Sequence, residues 1–281
     1  RKYRGRLRPM SHYVLGQLPR WQKLMSPLAP IVNGMFSVGW LRRLMLPLAG
    51  VDRRRSIPKV SASTFYGDRR RAERSGEVVA ATASRGERTR VMVWADSFSN
   101  GFAPGIDHDV VRVLEAAGFE VVTPPQQVCC GLTWISTGQL DGARKRLAQL
   151  LDVFTPLVED GIPIIGVEPS CTAVLRSDLL ELFADDPRAQ LIADATFTLS
   201  EVLGGRAPVK PSDTFTLPSL AGTEIVVQPH CHQHAVIGFD ADRKLLQQMG
   251  AELTQLSGCC GLAGNFGLER GHYEMSVAVA G

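Results

Sequence analysis

The most constraining feature of this sequence is a Cys-Cys-Gly run that occurs twice, each time after alternating strand-like and helix-like segments. The first run is Cys129-Cys130-Gly131 and the second is Cys259-Cys260-Gly261. Two short apolar segments separated by an amphipathic helix predict a parallel βαβ unit, because parallel strands need a long crossover connection. The sequence thus predicts thiols at the carboxyl ends of parallel strands, where open α/β sheets bind ligands.

Each run has one further cysteine, which gives two clusters of three thiols. Cys171 follows the first run, and Cys231 precedes the second. Thiolates are typical ligands of soft metals and above all of iron–sulfur clusters, so electron transfer is the leading interpretation. Six cysteines in 281 residues are too few for a secreted disulfide scaffold, which favours reduced thiols in a cytosolic protein. The predicted ligands are Cys129, Cys130, Cys171, Cys231, Cys259 and Cys260.

The chain divides into four predicted segments: a helical basic arm over 1–60, a linker over 61–89, a first repeat over 90–215 and a truncated second repeat over 216–281. The predicted fold class is α/β, with two pseudo-symmetric βαβ repeats of parallel strands that follow the arm. The repeat is visible where a helix ends at Gly118 or Gly250 and an apolar strand follows.

Charge is distributed unevenly along the chain. Residues 1–90 contain 20 Lys/Arg and 5 Asp/Glu, whereas residues 91–281 contain 11 and 23. A basic arm of this kind can contact an anionic membrane or pack on the acidic body, and packing is the favoured interpretation. We expect a cytoplasmic protein with optional peripheral contact on the inner face of the membrane, and no nucleic-acid partner.

Both ends of the sequence look like cuts in a longer protein, because it begins at Arg1 and stops at Gly281 within a predicted helix. No signal peptide is visible in it. The apolar stretch over 24–51 is interrupted by prolines and arginines and does not supply the roughly 20 apolar residues of a spanning helix.

Each repeat supplies fewer cysteines than a cluster needs. A cluster needs about four ligands, and the second repeat supplies Cys231, Cys259 and Cys260, so we expect another ligand beyond Gly281. His232 is a candidate metal ligand as well, and it lies between His230 and His234.

In the first repeat, Asp96 and Ser97 occupy the strand exit that corresponds to Cys231. A carboxylate is a harder ligand than a thiolate, so this repeat can hold a cluster, zinc or no metal. Asp96 and Glu168 have two open roles, either as proton-handling groups or as caps of the following helices.

These residues resemble the CCG cysteine-rich family, which includes the B subunit of heterodisulfide reductase, the iron–sulfur subunit of glycolate oxidase and the lactate-utilisation proteins. The resemblance covers about residues 90–281 and implies iron–sulfur binding. Family members carry a cysteine at the first strand exit of both repeats and a Cys-x-x-Cys at the end of each. Here Cys171 is flanked at the third positions by Glu168 and Val174, which departs from that pattern.

A closer resemblance is to the C-terminal third of large FAD-linked oxidoreductases. Four motifs carry it: Tyr3-Arg-Gly-Arg-Leu-Arg-Pro-Met-Ser-His, Trp94-Ala-Asp-Ser-Phe-Ser-Asn, Glu168-Pro-Ser-Cys and Cys259-Cys-Gly-Leu-Ala-Gly-Asn-Phe-Gly. This resemblance implies a 4Fe-4S electron-transfer module of a flavin-dependent D-2-hydroxyacid dehydrogenase. It also implies FAD and ferredoxin-type domains upstream in the same polypeptide, and a homo-oligomer is an open possibility. The fragment alone is not expected to be catalytic.

Three alternatives stay open. The cysteine-rich region can be a zinc-binding or metal-free scaffold of the same enzyme, because four thiolate or imidazole ligands suit zinc as well as iron. It can also be a thiol–disulfide reductase that works through Cys259 and Cys260. Nucleophilic catalysis by Cys129 with His232 is the weakest alternative, because the sequence shows no group to orient the histidine.

Overall fold

The computed structural model describes residue 3, residues 5–75 and residues 88–281. These residues form six strands: β1 (Arg90–Trp94), β2 (Glu120–Val122), β3 (Ile164–Gly166), β4 (Thr196–Thr198), β5 (Glu224–Val227) and β6 (Glu252–Gln255). The α-helices up to the first cysteine pair are α1 (Met10–Val14), α2 (Leu18–Met25), α3 (Ala29–Ser37), α4 (Gly39–Leu48), α5 (Phe65–Ser75), α6 (Ser97–Phe102) and α7 (Pro104–Ala116). The later ones are α8 (Leu132–Ser136), α9 (Leu140–Glu159), α10 (Pro169–Arg176), α11 (Asp178–Leu182), α12 (Pro187–Asp194), α13 (Leu199–Leu203), α14 (Asp240–Gln248) and α15 (Tyr273–Ala280).

The strands form two sheets, and every pairing within them is parallel. One sheet has the order β2-β1-β3-β4, and the other pairs β5 with β6. Strand β1 is an apolar run whose last four residues are buried, as expected for a central strand covered on both faces. The predicted α/β class with parallel strands is therefore confirmed.

Two compact units divide the described chain. The larger unit comprises 64–130 and 144–257 and contains both sheets. Its core packs β1 and β2 against helix α7 through Val93, Val121 and Leu114, all at most 7% exposed. Within this unit, β1–α7–β2 and β5–α14–β6 are each a strand, a crossover helix and a parallel strand.

The smaller unit comprises 1–63, 131–143 and 258–281. Its apolar cluster centres on Leu15, Leu46 and Val51. An isolated antiparallel bridge joins Val51 to Glu269, and the Arg55 guanidinium donates to the Gly267 carbonyl at 2.9 Å. These contacts tie the basic arm to the chain that follows the second Cys-Cys-Gly run.

Two elements differ from the sequence-based expectation. The stretch predicted as a linker contains α5, which is anchored by buried Phe65 and Tyr66, so tertiary packing stabilises a helix whose polar sequence shows little periodicity. Residues 76–87 of that stretch lie outside the described residues.

Strand β4 was not predicted, because a three-residue Thr-Phe-Thr segment is too short to show alternation. The four domain boundaries stay predictions.

No single helix in the described chain has the length and apolar character to cross a membrane. One pair of helical segments, Leu18–Ser37 with Gly39–Leu48, meets the length and composition criteria together but is bent by 105°.

Candidate metal centre

The thiols of the first repeat converge at the carboxyl end of the four-stranded sheet. Cys129 and Cys130 follow β2, and Cys171 lies in the first turn of α10, just after β3. The Cys130 Sγ donates to the Cys171 Sγ at 3.1 Å. Both residues are at most 2% exposed, whereas Cys129 is half-buried. The fold thus gathers these predicted ligands although Cys171 is 41 residues from Cys130.

Two carboxylates border these thiols, and each caps a helix. Asp96 is the N-cap of α6, where its Oδ1 accepts hydrogen bonds from the Phe98 and Ser99 amides at 2.7 and 3.2 Å. Glu168 is the N-cap of α10 and accepts a bond from the Cys171 amide at 2.7 Å. One ligand atom each from Asp96, Glu168 and Cys171 lies within 4.8 Å of the others. Of the two roles left open for these carboxylates, both are observed to cap helices, and both also lie near the Cys171 Sγ.

The electrostatics of this cluster are strongly anionic. Burial and, to a smaller extent, the charge of Glu168 together raise the pKa of Asp96 to about 6. A hydrogen bond from Cys130 lowers the pKa of Cys171, but burial and both carboxylates outweigh it and raise that pKa well above its usual value. No lysine or arginine among the described residues forms an ion pair with Asp96 or Glu168. A buried carboxylate without a cation is costly, so this donor set fits a bound metal.

Cys231 lies between two imidazoles directly after the exit of β5. Its Sγ is 3.8 Å from Nδ1 of His230 and 3.8 Å from Nδ1 of His232. The two rings stack with centroids 5.2 Å apart. Burial lowers the pKa of His230, while the negative charge of Glu168 opposes the shift. His234 lies in the π-helical turn Gln233–Ile237 and does not join this group.

Cys259 and Cys260 are exposed and lie in the loop after β6. The Gly261 amide donates to the Cys259 Sγ at 3.3 Å. These two cysteines belong to the smaller unit, whereas Cys231 belongs to the larger one. The structure therefore brings together Cys130, Cys171 and the carboxylates, and separately Cys231 and its histidines. The metal-binding role of all six cysteines stays a prediction.

One residue near the site was not anticipated from the sequence. Asp107, in the first turn of α7, is fully buried, and no described donor has hydrogen-bond geometry to either carboxylate oxygen. Burial raises the pKa of Asp107 to about 7, the neighbouring Ser99 hydroxyl lowers it, and Asp96 raises it. The sequence feature that could have predicted this burial is the helical spacing of Asp107 from Val111 and Leu114, which places it on the apolar face of α7.

Comparison with known proteins identifies the class of domain. The CCG family, a cysteine-rich domain, matches residues 96–176, so the chain contains a CCG cysteine-rich domain. This match includes Asp96, the first Cys-Cys-Gly run, Glu168 and Cys171.

Two kinds of relative are similar beyond that domain. The C subunit of the anaerobic glycerol-3-phosphate dehydrogenase of Escherichia coli K12 is 31% identical over 277 residues, which is 96% of this chain and 66% of that protein. Lactate utilization protein A is 28% identical over 189 residues in Bacillus velezensis and 26% identical over 189 residues in Bacillus subtilis. Those alignments cover 64% of this chain and 75% of each relative. The chain thus spans just under two thirds of the length of its glycerol-3-phosphate dehydrogenase relative.

Proposed function

We propose that this chain is an iron–sulfur electron-transfer module of a dehydrogenase. The observation that carries the proposal is the buried pair Cys130 and Cys171, with sulfurs 3.1 Å apart, beside the buried Asp96 carboxylate, which forms no ion pair with a described lysine or arginine. A cluster bound there would neutralise the crowded anionic donors and carry single electrons. The similarity to a protein named as part of a dehydrogenase supports an oxidoreductase context.

The finer proposal concerns the enzyme around the module. The motifs that resemble large FAD-linked oxidoreductases support a flavoprotein that oxidises the CH–OH group of a D-2-hydroxyacid. In that arrangement FAD and ferredoxin-type domains precede this chain and pass electrons to it. The βαβ units at β1–β2 and β5–β6 support two pseudo-symmetric CCG repeats with 4Fe-4S clusters, the second bound by Cys231, Cys259 and Cys260. Zinc in the first repeat is the alternative cofactor.

The decisive experiment is anaerobic analysis of iron, sulfide and zinc with EPR on the full-length protein. Wild type is compared with Cys130→Ser/Cys171→Ser and with Cys259→Ser/Cys260→Ser. We expect each double variant to lose iron and sulfide and one EPR signal, because thiolate ligands are removed. Zinc in place of iron, or unchanged metal content with intact dehydrogenase activity, would instead support the scaffold.

A thiol–disulfide reductase is a second candidate, because Cys259 and Cys260 are adjacent and exposed. The same Cys259→Ser/Cys260→Ser variant separates it from the electron-transfer module. A reductase would lose disulfide reduction on alkylation even in iron-free protein, whereas the module would show no such activity.

We also propose that the protein is cytoplasmic and that its basic arm contacts the inner face of the membrane. Helix α4 exposes Trp40, Leu44 and Leu48 at 70%, 58% and 71%, and this spacing puts all three on one face. Apolar residues flanked by basic ones are typical of helices that lie on anionic membranes.

Flotation of the full-length protein with phosphatidylglycerol vesicles tests this membrane contact. We expect Trp40→Ser/Leu48→Ser to abolish flotation, while Ile106→Ser, which alters an exposed apolar residue on α7, leaves it unchanged. Binding should weaken with added salt, because part of the attraction is electrostatic. Equal flotation of both variants would contradict the proposal.

A further inference from the structure

A cavity of about 550 Å³ opens on the smaller unit at the C-terminal end of helix α4. Its wall combines the apolar residues Pro47 and Val51 with three arginines, Arg53, Arg54 and Arg270. The described lining contains no cysteine, so this cavity is separate from the thiol clusters. Its volume is typical of sites for small molecules, which measure about 300–1,000 Å³. Three guanidinium groups around one cavity indicate an anionic ligand.

The backbone around this cavity joins two segments that are far apart in the sequence. Val51 forms an antiparallel bridge with Glu269, and the Arg270 amide donates to the Gly50 carbonyl at 3.0 Å. This pairing brings Arg270 to the same cavity as Arg53. The arrangement of the arginines is therefore a feature of the fold and does not follow from a local run of basic residues.

One of the three arginines is already neutralised by carboxylates. The Arg54 Nε donates to Asp52 Oδ1 at 3.0 Å, its Nη2 donates to Asp52 Oδ2 at 3.2 Å, and its Nη1 donates to the Glu274 carboxylate. These bonds occupy both oxygens of Asp52, which is the single acidic residue in the described lining. The carboxylate of Asp52 is thus committed to Arg54.

The other two arginines carry positive charge without a partner among the described residues. Arg53 and Arg270 are exposed, and neither guanidinium forms an ion pair or a side-chain hydrogen bond with a described residue. A guanidinium is a planar fork of donors that matches two oxygens of one phosphate, and such charge-assisted hydrogen bonds are strong. Two free guanidinium groups at one cavity therefore suit a phosphate group.

Helix α4 connects this cavity to the exposed apolar stripe formed by Trp40, Leu44 and Leu48. Pro47 is three residues after Leu44, so it lies on the same side of the helix, and it lines the cavity. A helix that lies on a membrane through this stripe puts the cavity at the level of the headgroups. Basic pockets beside membrane-bound segments bind the headgroups of anionic lipids, so the stripe favours a lipid phosphate as the ligand.

We propose that the cavity lined by Arg53, Arg54 and Arg270 binds a phosphate group. Arg53 and Arg270 donate to its oxygens, and Arg54 with its carboxylate partners holds the wall in place. The phosphate comes from the headgroup of an anionic phospholipid or from a soluble phosphate, and the adjoining stripe favours the headgroup. The headgroup as source rests on the proposed membrane contact, whereas the phosphate site itself does not.

The test titrates the full-length protein by calorimetry at constant ionic strength. The two probes are inorganic phosphate and dihexanoyl phosphatidylglycerol, a short-chain lipid used below its critical micelle concentration. The test variant is Arg53→Gln/Arg270→Gln, which leaves the ion pairs of Arg54 intact. The matched control is Arg6→Gln/Arg20→Gln, which removes two exposed arginines of the same unit outside the cavity. A circular-dichroism melt verifies that both variants fold.

We expect the wild type to bind dihexanoyl phosphatidylglycerol roughly tenfold more tightly than Arg53→Gln/Arg270→Gln does, because hydrogen bonds to a charged group are lost. The control pair is expected to bind like the wild type. A headgroup source further predicts that Arg53→Gln/Arg270→Gln reduces flotation with phosphatidylglycerol vesicles more than the control pair does. A soluble source predicts that inorganic phosphate binds as tightly as the lipid and that both variants float equally.

Three outcomes separate the inference from the membrane contact. Binding of neither probe, or equal affinity of the wild type and Arg53→Gln/Arg270→Gln, would overturn the phosphate site. Equal weakening by Arg6→Gln/Arg20→Gln would also overturn it, because net charge and not the cavity would then attract the anion. If the wild type does not float with vesicles but the titration shows the expected loss, the membrane contact fails and the phosphate site stands.

Discussion

At the residue scale, Gly261 is the position in the second Cys-Cys-Gly run where the backbone least tolerates a side chain. Its φ is +72°, and a Cβ there would lie 2.1 Å from the Ser276 carbonyl oxygen. The Ser276 hydroxyl also donates to the Gly261 carbonyl at 2.6 Å. The glycine therefore allows helix α15 to pack against the loop that carries Cys259 and Cys260.

We predict that Gly261→Ala destabilises the protein by about 2 kcal/mol more than Gly271→Ala does. Gly271 is the matched control, because its φ is also positive, +92°, but a Cβ there meets no atom within 4 Å. Backbone strain is common to both variants, and only Gly261→Ala adds the clash. Urea unfolding measures the difference, and equal free energies of unfolding would show that the loop adjusts freely.

Asp107 gives a pH-dependent prediction. Its pKa is about 7 in the folded protein, mainly because of burial, against 3.8 as the ordinary value. Between these values the folded state keeps a proton that the unfolded state has released, so stability falls as pH rises from about 4 to about 7.

Asp107→Asn removes this titration, and we expect its stability relative to wild type to rise between pH 5 and pH 8. The expected gain is on the order of 3 kcal/mol. Thermal melts of both proteins across this range measure it. A difference that stays constant with pH would mean that Asp107 is ionised throughout or solvated in solution.

At the scale of elements, helix α10 carries Cys171 near its start and is fixed at its end by Arg176. The guanidinium of Arg176 donates to the Glu201 carboxylate at 2.5 Å and to the Thr196 carbonyl at 2.6 Å. The Glu201 side chain is 6% exposed and also closes the capping box with Thr198 at the start of α13. This network joins α10 to β4 and α13.

We predict that Glu201→Ala costs about 3–5 kcal/mol, because it leaves the guanidinium largely buried without its partner. The control is Asp109→Ala, which breaks an ion pair with Arg112 whose side chains are 61% and 76% exposed. That change should cost less than about 1 kcal/mol. Chemical denaturation of both variants tests the contrast, and similar losses would argue against a structural role for the buried pair.

At the scale of the whole molecule, the two parallel sheets differ in burial. Strands β1 and β3 are buried along almost all of their length, whereas every residue of β5 and β6 is exposed or half-buried. A two-stranded sheet with few residues packed on its faces is marginally stable. Segments with little buried surface also unfold locally more often than buried ones.

We therefore expect amides of β5 and β6 to exchange with deuterium at least ten times faster than those of β1 and β3. Hydrogen exchange read by mass spectrometry on the full-length protein measures this. Equal protection of the two sheets would contradict the prediction and indicate that the second sheet is covered in the full-length protein.

The sequence by itself determined the parallel α/β class, the strands that precede each Cys-Cys-Gly run and the helical character of the arm. Those features depend on local signals: apolar runs, helical spacing and helix-ending glycines such as Gly118 and Gly250. Local signals also made helix capping one of two open roles for Asp96 and Glu168, because a cap bonds to amides two or three residues away.

Only the tertiary structure decided which side chains meet. It brought Cys171 to Cys130, put the Asp96 carboxylate beside them and buried Asp107 without a hydrogen-bond partner among the described residues. It also made a helix of the polar stretch at 65–75 by burying Phe65 and Tyr66. These outcomes depend on contacts between residues far apart in the chain, and spacing along a sequence does not fix which side chains touch at a sheet edge.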